Sequence, residues 1–142
     1  MIKFIVGAKG SGKTKWLIDN ANDDLKSGNG NIAFVDVDDD HIFSLDYQIR
    51  LINAQDYKLT NIDALYGFIC GLMAMDFDLE KIYIDSIYKV IDLNKVNLET
   101  LYDRLSSIED IKERQIFINV DCLTKDLPEK LQACSEEVTL ED

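Results

Sequence analysis

The sequence predicts an α/β fold: a three-layer sandwich in which a mostly parallel five-stranded sheet carries helices on both faces. Three observations predict it. Apolar runs of strand length (Ile2–Val6, Ile32–Val35, Lys81–Asp85, Gln115–Val120) take turns with stretches of helical periodicity. The Ile32–Val35 run lacks polar alternation, as a strand covered on both faces should. The first run leads into a helix through Gly7-Ala8-Lys9-Gly10-Ser11-Gly12-Lys13-Thr14. That stretch fits the phosphate-binding pattern G-x-x-x-x-G-K-[ST] at every fixed position. At 142 residues, 1–142 reads as one domain with one core.

The elements follow in order. Lys13 to Lys26 is a helix that turns Thr14, Leu17, Ile18, Ala21 and Leu25 inward. Ser27-Gly28-Asn29-Gly30 stops it, an end where glycine is expected to take positive φ. The second strand, Ile32–Val35, runs out into Asp36-Val37-Asp38-Asp39-Asp40-His41. Tyr47 to Asn53 alternates and predicts a short half-exposed strand near an edge. Thr60 with Asp63 reads as a capping-box variant opening a helix with Ile62, Leu65, Phe68, Ile69, Leu72 and Met73. Ala64, Gly67 and Gly71 form a small-residue stripe on it, expected to let the helix pack closely on the sheet. After Lys81–Asp85, the segment to Leu93 fits helix or strand. Asn97 to Arg114 reads as an amphipathic helix with Leu98, Leu101, Leu105 and Ile108 inward. Gln115 to Val120 is a strand, Asp126 to Cys134 a helix with Pro128 near its start, and Val138-Thr139-Leu140 a last short strand.

Composition excludes several classes of function. A formal charge of −12 argues against nucleic acid as a partner. Lys3, Lys9, Lys13 and Lys15 nevertheless fall within the first fifteen positions, a local positive field suited to a polyphosphate. No apolar run reaches the roughly 18–20 residues that span a bilayer, so no membrane is expected. Met1-Ile2-Lys3 leads straight into the first strand without a signal peptide. Cys70, Cys122 and Cys134 are odd in number and widely spaced, which suits free thiols in a cytoplasmic protein. His41 is the only histidine, which excludes a multi-histidine metal site.

The chemistry concentrates in the loop. Glycines at 7, 10 and 12 let the backbone curl so that successive amides point at one anion. The start of the next helix adds a positive dipole end facing the same place. Lys13 would reach the β- and γ-phosphates, and the Thr14 hydroxyl would be a ligand to Mg²⁺. Ala8, Lys9, Ser11 and Lys15 complete the candidate nucleotide-binding stretch.

On this motif the chain resembles the P-loop NTPases. The resemblance implies ATP and Mg²⁺ as ligands, bound at the carboxyl ends of the strands, with a RecA-like strand order favoured. Asp85 looks like the Walker B aspartate, which holds Mg²⁺ together with Thr14. RecA-like and motor ATPases place a glutamate directly after that aspartate, whereas here Ser86 follows. Asp36 and Asn119, at the ends of the second and fourth strong strands, are the candidate substitutes, Asn119 resembling the polar sensor of those ATPases. The run Asp38-Asp39-Asp40 is open to a metal, to a sugar or to solvent alone. Arg50, Arg104 and Arg114 are the only arginines that could stabilise charge. Guanine specificity by N-K-x-D is unsupported, because Asn119-Val120-Asp121 is one residue short and lacks the lysine. The second lysine of partitioning-type ATPases is also missing: its position is Ala8. The chain is similar as well to short bacterial stand-alone P-loop proteins labelled twitching-motility ATPase-like, but the His-box and Asp-box of those motors are absent.

Three functions are therefore expected to compete. The first is a slow Mg²⁺-dependent ATPase, or nucleotide-dependent switch, acting on a protein partner. The second is a small-molecule kinase, with the Asp36–Asp40 turn positioning an acceptor hydroxyl. The third is a module that binds a nucleoside triphosphate without hydrolysing it.

Overall fold

The structure, a computed structural model, describes residues 1–28 and 30–139. Six strands build one sheet: β1 (Ile2–Val6), β2 (Asn31–Asp36), β3 (Arg50–Asn53), β4 (Leu79–Ile84), β5 (Gln115–Val120) and β6 (Ser135–Glu137). Their spatial order is β3-β2-β4-β5-β1-β6, and every pairing is parallel. The expected sandwich is present, with six strands among the described residues instead of five. β5 inserts between the loop-bearing β1 and β4, the strand leading to Asp85, as the RecA-like order requires.

Strand alternation divides the core in two. Ile5, Phe34, Tyr83 and Phe117 face α1 (Lys13–Ser27) and pack on its Leu17, Ile18 and Ala21. Phe34, Tyr83 and Phe117 stack there in series, with centroids 6.1 and 4.7 Å apart. On the other face Val6, Val35, Ile82, Ile84, Ile116 and Ile118 pack against α2 (Ile62–Met75) and α3 (Lys95–Ser106). A short α4 (Glu129–Gln132) closes that layer with Leu131. Two buried faces explain why these strands are apolar without alternation.

Several local expectations need correction. Asn61, not Thr60, caps α2 by accepting from the Ala64 amide at 2.8 Å, while Asp63 turns outward to Arg104. Asn94 caps α3 in the same way, so the helix starts two residues early; it ends at Ser106, and Glu109–Glu113 forms a separate 3-10 turn. The edge strand β3 keeps only the second half of Tyr47–Asn53, and Ile87–Lys89 is a 3-10 turn. The last strand is Ser135–Glu137; the Val138 amide still donates to the Val6 carbonyl, and Leu140 lies outside the described residues. At the end of helix α1, Gly28 sits at −95° and not at positive φ; Asn29 lies outside the described residues. Space is the reason for glycine there: a Cβ on Gly28 would come within 2.8 Å of the Asp24 carbonyl. The reverse holds on α2, where a Cβ on Gly67 or Gly71 would meet nothing within 4 Å, so close packing on the sheet is not their role.

Candidate functional site

Parallel pairing brings the carboxyl ends of all the strands to one edge of the sheet. Val35 pairs with Ile84, Ile84 with Ile118, and Ile5 with Asn119, so Gly7, Asp36, Asp85 and Asn119 gather along that edge. The loop is anchored at its start by the Gly7 amide, which donates to the Cys122 carbonyl at 2.7 Å. Gly10 and Gly12 take φ of 80° and 96°, conformations that cost other residues about 1–2 kcal/mol. Gly12 is the N-cap of α1 and offers no capping side chain, so the first amides of the helix have no partner inside it. That is the polarity an anion requires. Lys13 is 5 % exposed, and its Nζ donates to the carbonyls of Gly7 (2.8 Å) and Ala8 (3.1 Å) and to Asp121 Oδ1 (3.3 Å).

Asp85 lies next to the loop and is fully buried. Its Oδ1 accepts from Thr14 Oγ1 at 3.0 Å, from Ser86 Oγ at 3.2 Å and from Asn119 Nδ2. Asn119 Oδ1 in turn accepts from the Ser86 amide at 2.6 Å. Both ends of Asn119 are thus spent on holding Asp85 and Ser86 in place. Ser86 sits at φ 60°, a left-handed conformation uncommon for a residue with a side chain. Two buried oxygens, Asp85 Oδ2 and Ser11 Oγ, have no hydrogen-bond partner among the described residues, although buried polar atoms are nearly always paired. A hydroxyl beside a carboxylate with an orphaned oxygen is a hard, oxygen-only donor set. Thr14 and Asp85 therefore fit Mg²⁺.

Of the other sequence candidates, Asp36 shares this edge, whereas Arg104 and Arg114 lie elsewhere. Asp36 is buried at the end of β2, with Oδ1 accepting from the Val37 amide at 2.7 Å and Oδ2 facing His41 Nδ1 at 3.0 Å. Burial raises its carboxyl above the ordinary value, the His41 contact opposes that rise, and the nearby charge of Asp85 adds to it. Asp38, Asp39 and Asp40 form a turn in which Asp38 Oδ1 accepts from the Asp40 amide, and its effect is to swing His41 back onto Asp36. The positive field is smaller than the sequence suggests, for Lys3 lies near Glu136 and Lys15 near Asp19. Lys9 is exposed on the loop. Arg114 is buried and donates to the carbonyls of Met73, Asp76 and Leu79, closing the end of α2. Arg104 pairs with Asp63 and lies over the Tyr66 ring, away from the loop. Sequence reasoning missed Asp121 and His41 as members of this edge. Asp121 directly follows β5, and that strand-end position was the available signal; His41 becomes a neighbour only through its turn.

No family model matches the chain, and no curated protein matches it. Among solved structures, domain III of the replication initiation protein DnaA from Thermotoga maritima is similar, with a TM-score of 0.52 and 16 % identity. The fold is P-loop NTPase-like. The alignment covers 99 % of this chain and 55 % of that one, so the chain spans about half the length of that structure. At this identity the likeness concerns architecture alone. Among the described residues, no helix is long and apolar enough to cross a membrane.

Proposed function

We propose that the chain binds ATP with Mg²⁺ on Gly7–Thr14 and acts as a slow ATPase or nucleotide-dependent switch on a protein partner. The observation that carries this reading is the 3.0 Å contact between Thr14 and Asp85, 71 positions apart in the chain, beside a buried Lys13. Lys13 would exchange the Gly7 and Ala8 carbonyls for phosphate oxygens, and the free amides at the start of α1 would accept the remaining charge. Mg²⁺, held by Thr14 and Asp85, would neutralise phosphate charge. A cleft of about 230 Å³ borders the loop between Ala8, Ser11, Leu123, Val138 and Thr139, and its apolar members suit the face of a base. A partner reading is supported by Phe43 and Tyr47, 98 % and 90 % exposed on the segment that begins at His41.

Slow turnover follows from the residues around Asp85. Ser86 brings a hydroxyl and no carboxylate, and both oxygens of Asp36 are already engaged. General-base assistance is worth about 10²–10⁴-fold, so the rate should fall below the roughly 1–10³ s⁻¹ usual for enzymes. The same observation favours a second reading, in which ATP is held without hydrolysis. Calorimetry with ATP and Mg²⁺ tests the binding common to both. Lys13→Ala should weaken it by roughly 10–100-fold, since hydrogen bonds to charged groups contribute about 1.5–3 kcal/mol. Unchanged affinity in a folded variant would remove the loop as the site. Phosphate release under single-turnover conditions then separates the slow ATPase from the binding module.

A further inference from the structure

β2 and β4 are neighbours in register, so Asp36 and the residue following β4, Asp85, leave the sheet side by side. The Asp85 amide donates to the Val35 carbonyl at 2.8 Å, which fixes that juxtaposition through the backbone. The turn after β2 then returns His41 to the same place. One donor atom from each of Asp36, His41 and Asp85 lies within 4.8 Å of the other two. Both carboxylates are at most 1 % exposed, and among the described residues no lysine or arginine forms an ion pair with either. Burying two adjacent carboxylates is costly unless a cation compensates them. Three donors already occupy Asp85 Oδ1, whereas Oδ2 is buried and has none among the described residues.

We propose that Asp36, His41 and Asp85 form a binding site for a divalent transition-metal ion of the Mn²⁺, Fe²⁺ or Zn²⁺ class. The imidazole selects the class. Mg²⁺ and Ca²⁺ take oxygen ligands, whereas one nitrogen with two carboxylates suits the borderline ions. Ligand distances of about 2.0–2.2 Å require the three donors to draw together slightly, and His41, on a partly exposed turn, is free to supply the movement. The ring nitrogen that ligates carries no proton, so on binding the 3.0 Å contact between His41 Nδ1 and Asp36 gives way to the metal. The open side of His41 leaves room for water as the remaining ligands. This site goes beyond the triphosphate reading; it shares Asp85 with the Mg²⁺ proposed there, so the two ions compete for that carboxylate and the metal is tested on nucleotide-free protein.

His41 is the only histidine in the chain, which gives the test its resolution. Mn²⁺ is titrated into untagged, nucleotide-free protein and followed by pulsed electron paramagnetic resonance. The expected result is one tightly held ion per chain with a nitrogen coupling, which in untagged protein can be assigned to His41. His41→Gln should abolish the coupling, and both His41→Gln and Asp36→Asn should weaken binding by about 10-fold or more, on the scale of lost support at a metal site. Zn²⁺ calorimetry on the same proteins should show the same ranking, with circular dichroism confirming that each variant is folded. Lys13→Ala should bind the metal as wild type does while binding ATP more weakly, so failure of one site is distinguishable from failure of the other. Mn²⁺ bound without nitrogen coupling, or with equal affinity in His41→Gln, would overturn the proposal. So would the absence of both Mn²⁺ and Zn²⁺ binding at millimolar concentration.

Discussion

The glycines of the loop and those of α2 look alike in the sequence, each set punctuating a helical or near-helical stretch at short intervals. In the structure they have opposite surroundings. At Gly7 an added Cβ would fall 2.4 Å from Ser11 Oγ and 2.6 Å from the Val138 carbonyl oxygen, and Gly10 and Gly12 hold left-handed backbone. At Gly67 and Gly71 the helix is ordinary and the added atom would sit in open space. The loop therefore carries strain and crowding at the edge where the candidate ligands converge. α2 carries slack on its outer face. A glycine is informative about function only when backbone conformation or space demands it, and neither demand is visible in the spacing of the letters.

Three substitutions probe that contrast, in order of expected size. Gly7→Ala should be the most damaging, because the crowding partner at 2.6 Å is backbone and gives way only if the loop or the segment after β6 moves. Overpacking of this kind costs about 1–3 kcal/mol, to be read from urea unfolding, and ATP binding should fall with it. A fully stable, ATP-binding Gly7→Ala would break the comparison at its strong end. Asp121→Asn comes next. Asp121 holds Lys13 at 3.3 Å and is 39 % exposed, so releasing it should tighten ATP binding by no more than about fivefold, the worth of a partly exposed pair. Weaker binding would mean that Asp121 assists the ligand instead of competing with it. Smallest of all, Gly67→Ala and Gly71→Ala should each stabilise the protein by about 0.5–1 kcal/mol, since alanine lowers the entropy lost on forming α2. That corresponds to roughly 2–4 °C in melting temperature for a domain of this size. A loss of stability in either would show that α2 needs glycine for a contact absent from this structure.

Much of the molecule was legible without coordinates, for a physical reason. Gln115–Val120 and Ile2–Val6 are strands, and Lys13–Ser27 a helix, close to their expected bounds. The burial that shapes these elements acts on every second residue or every third and fourth, a local rule written directly in the sequence. The loop was legible because phosphate binding needs backbone geometry that only certain residues in a fixed order supply. Tertiary structure decided what lay between elements. Asn61 displaced Thr60 as a cap because both can accept from an amide and the approach of the chain selects one. The join between Thr14 and Asp85 is implied by resemblance, and only the sheet, by bringing both to one edge, sets its 3.0 Å length. His41 met Asp36 and Asp85 through strand register and a turn of three aspartates, and Asp121 met Lys13 across the end of β5. A local sequence pattern fixes which residues share a face of one element. Which elements lie side by side, and in what register, is set by packing the whole core, and the chemistry of this edge depends on that register.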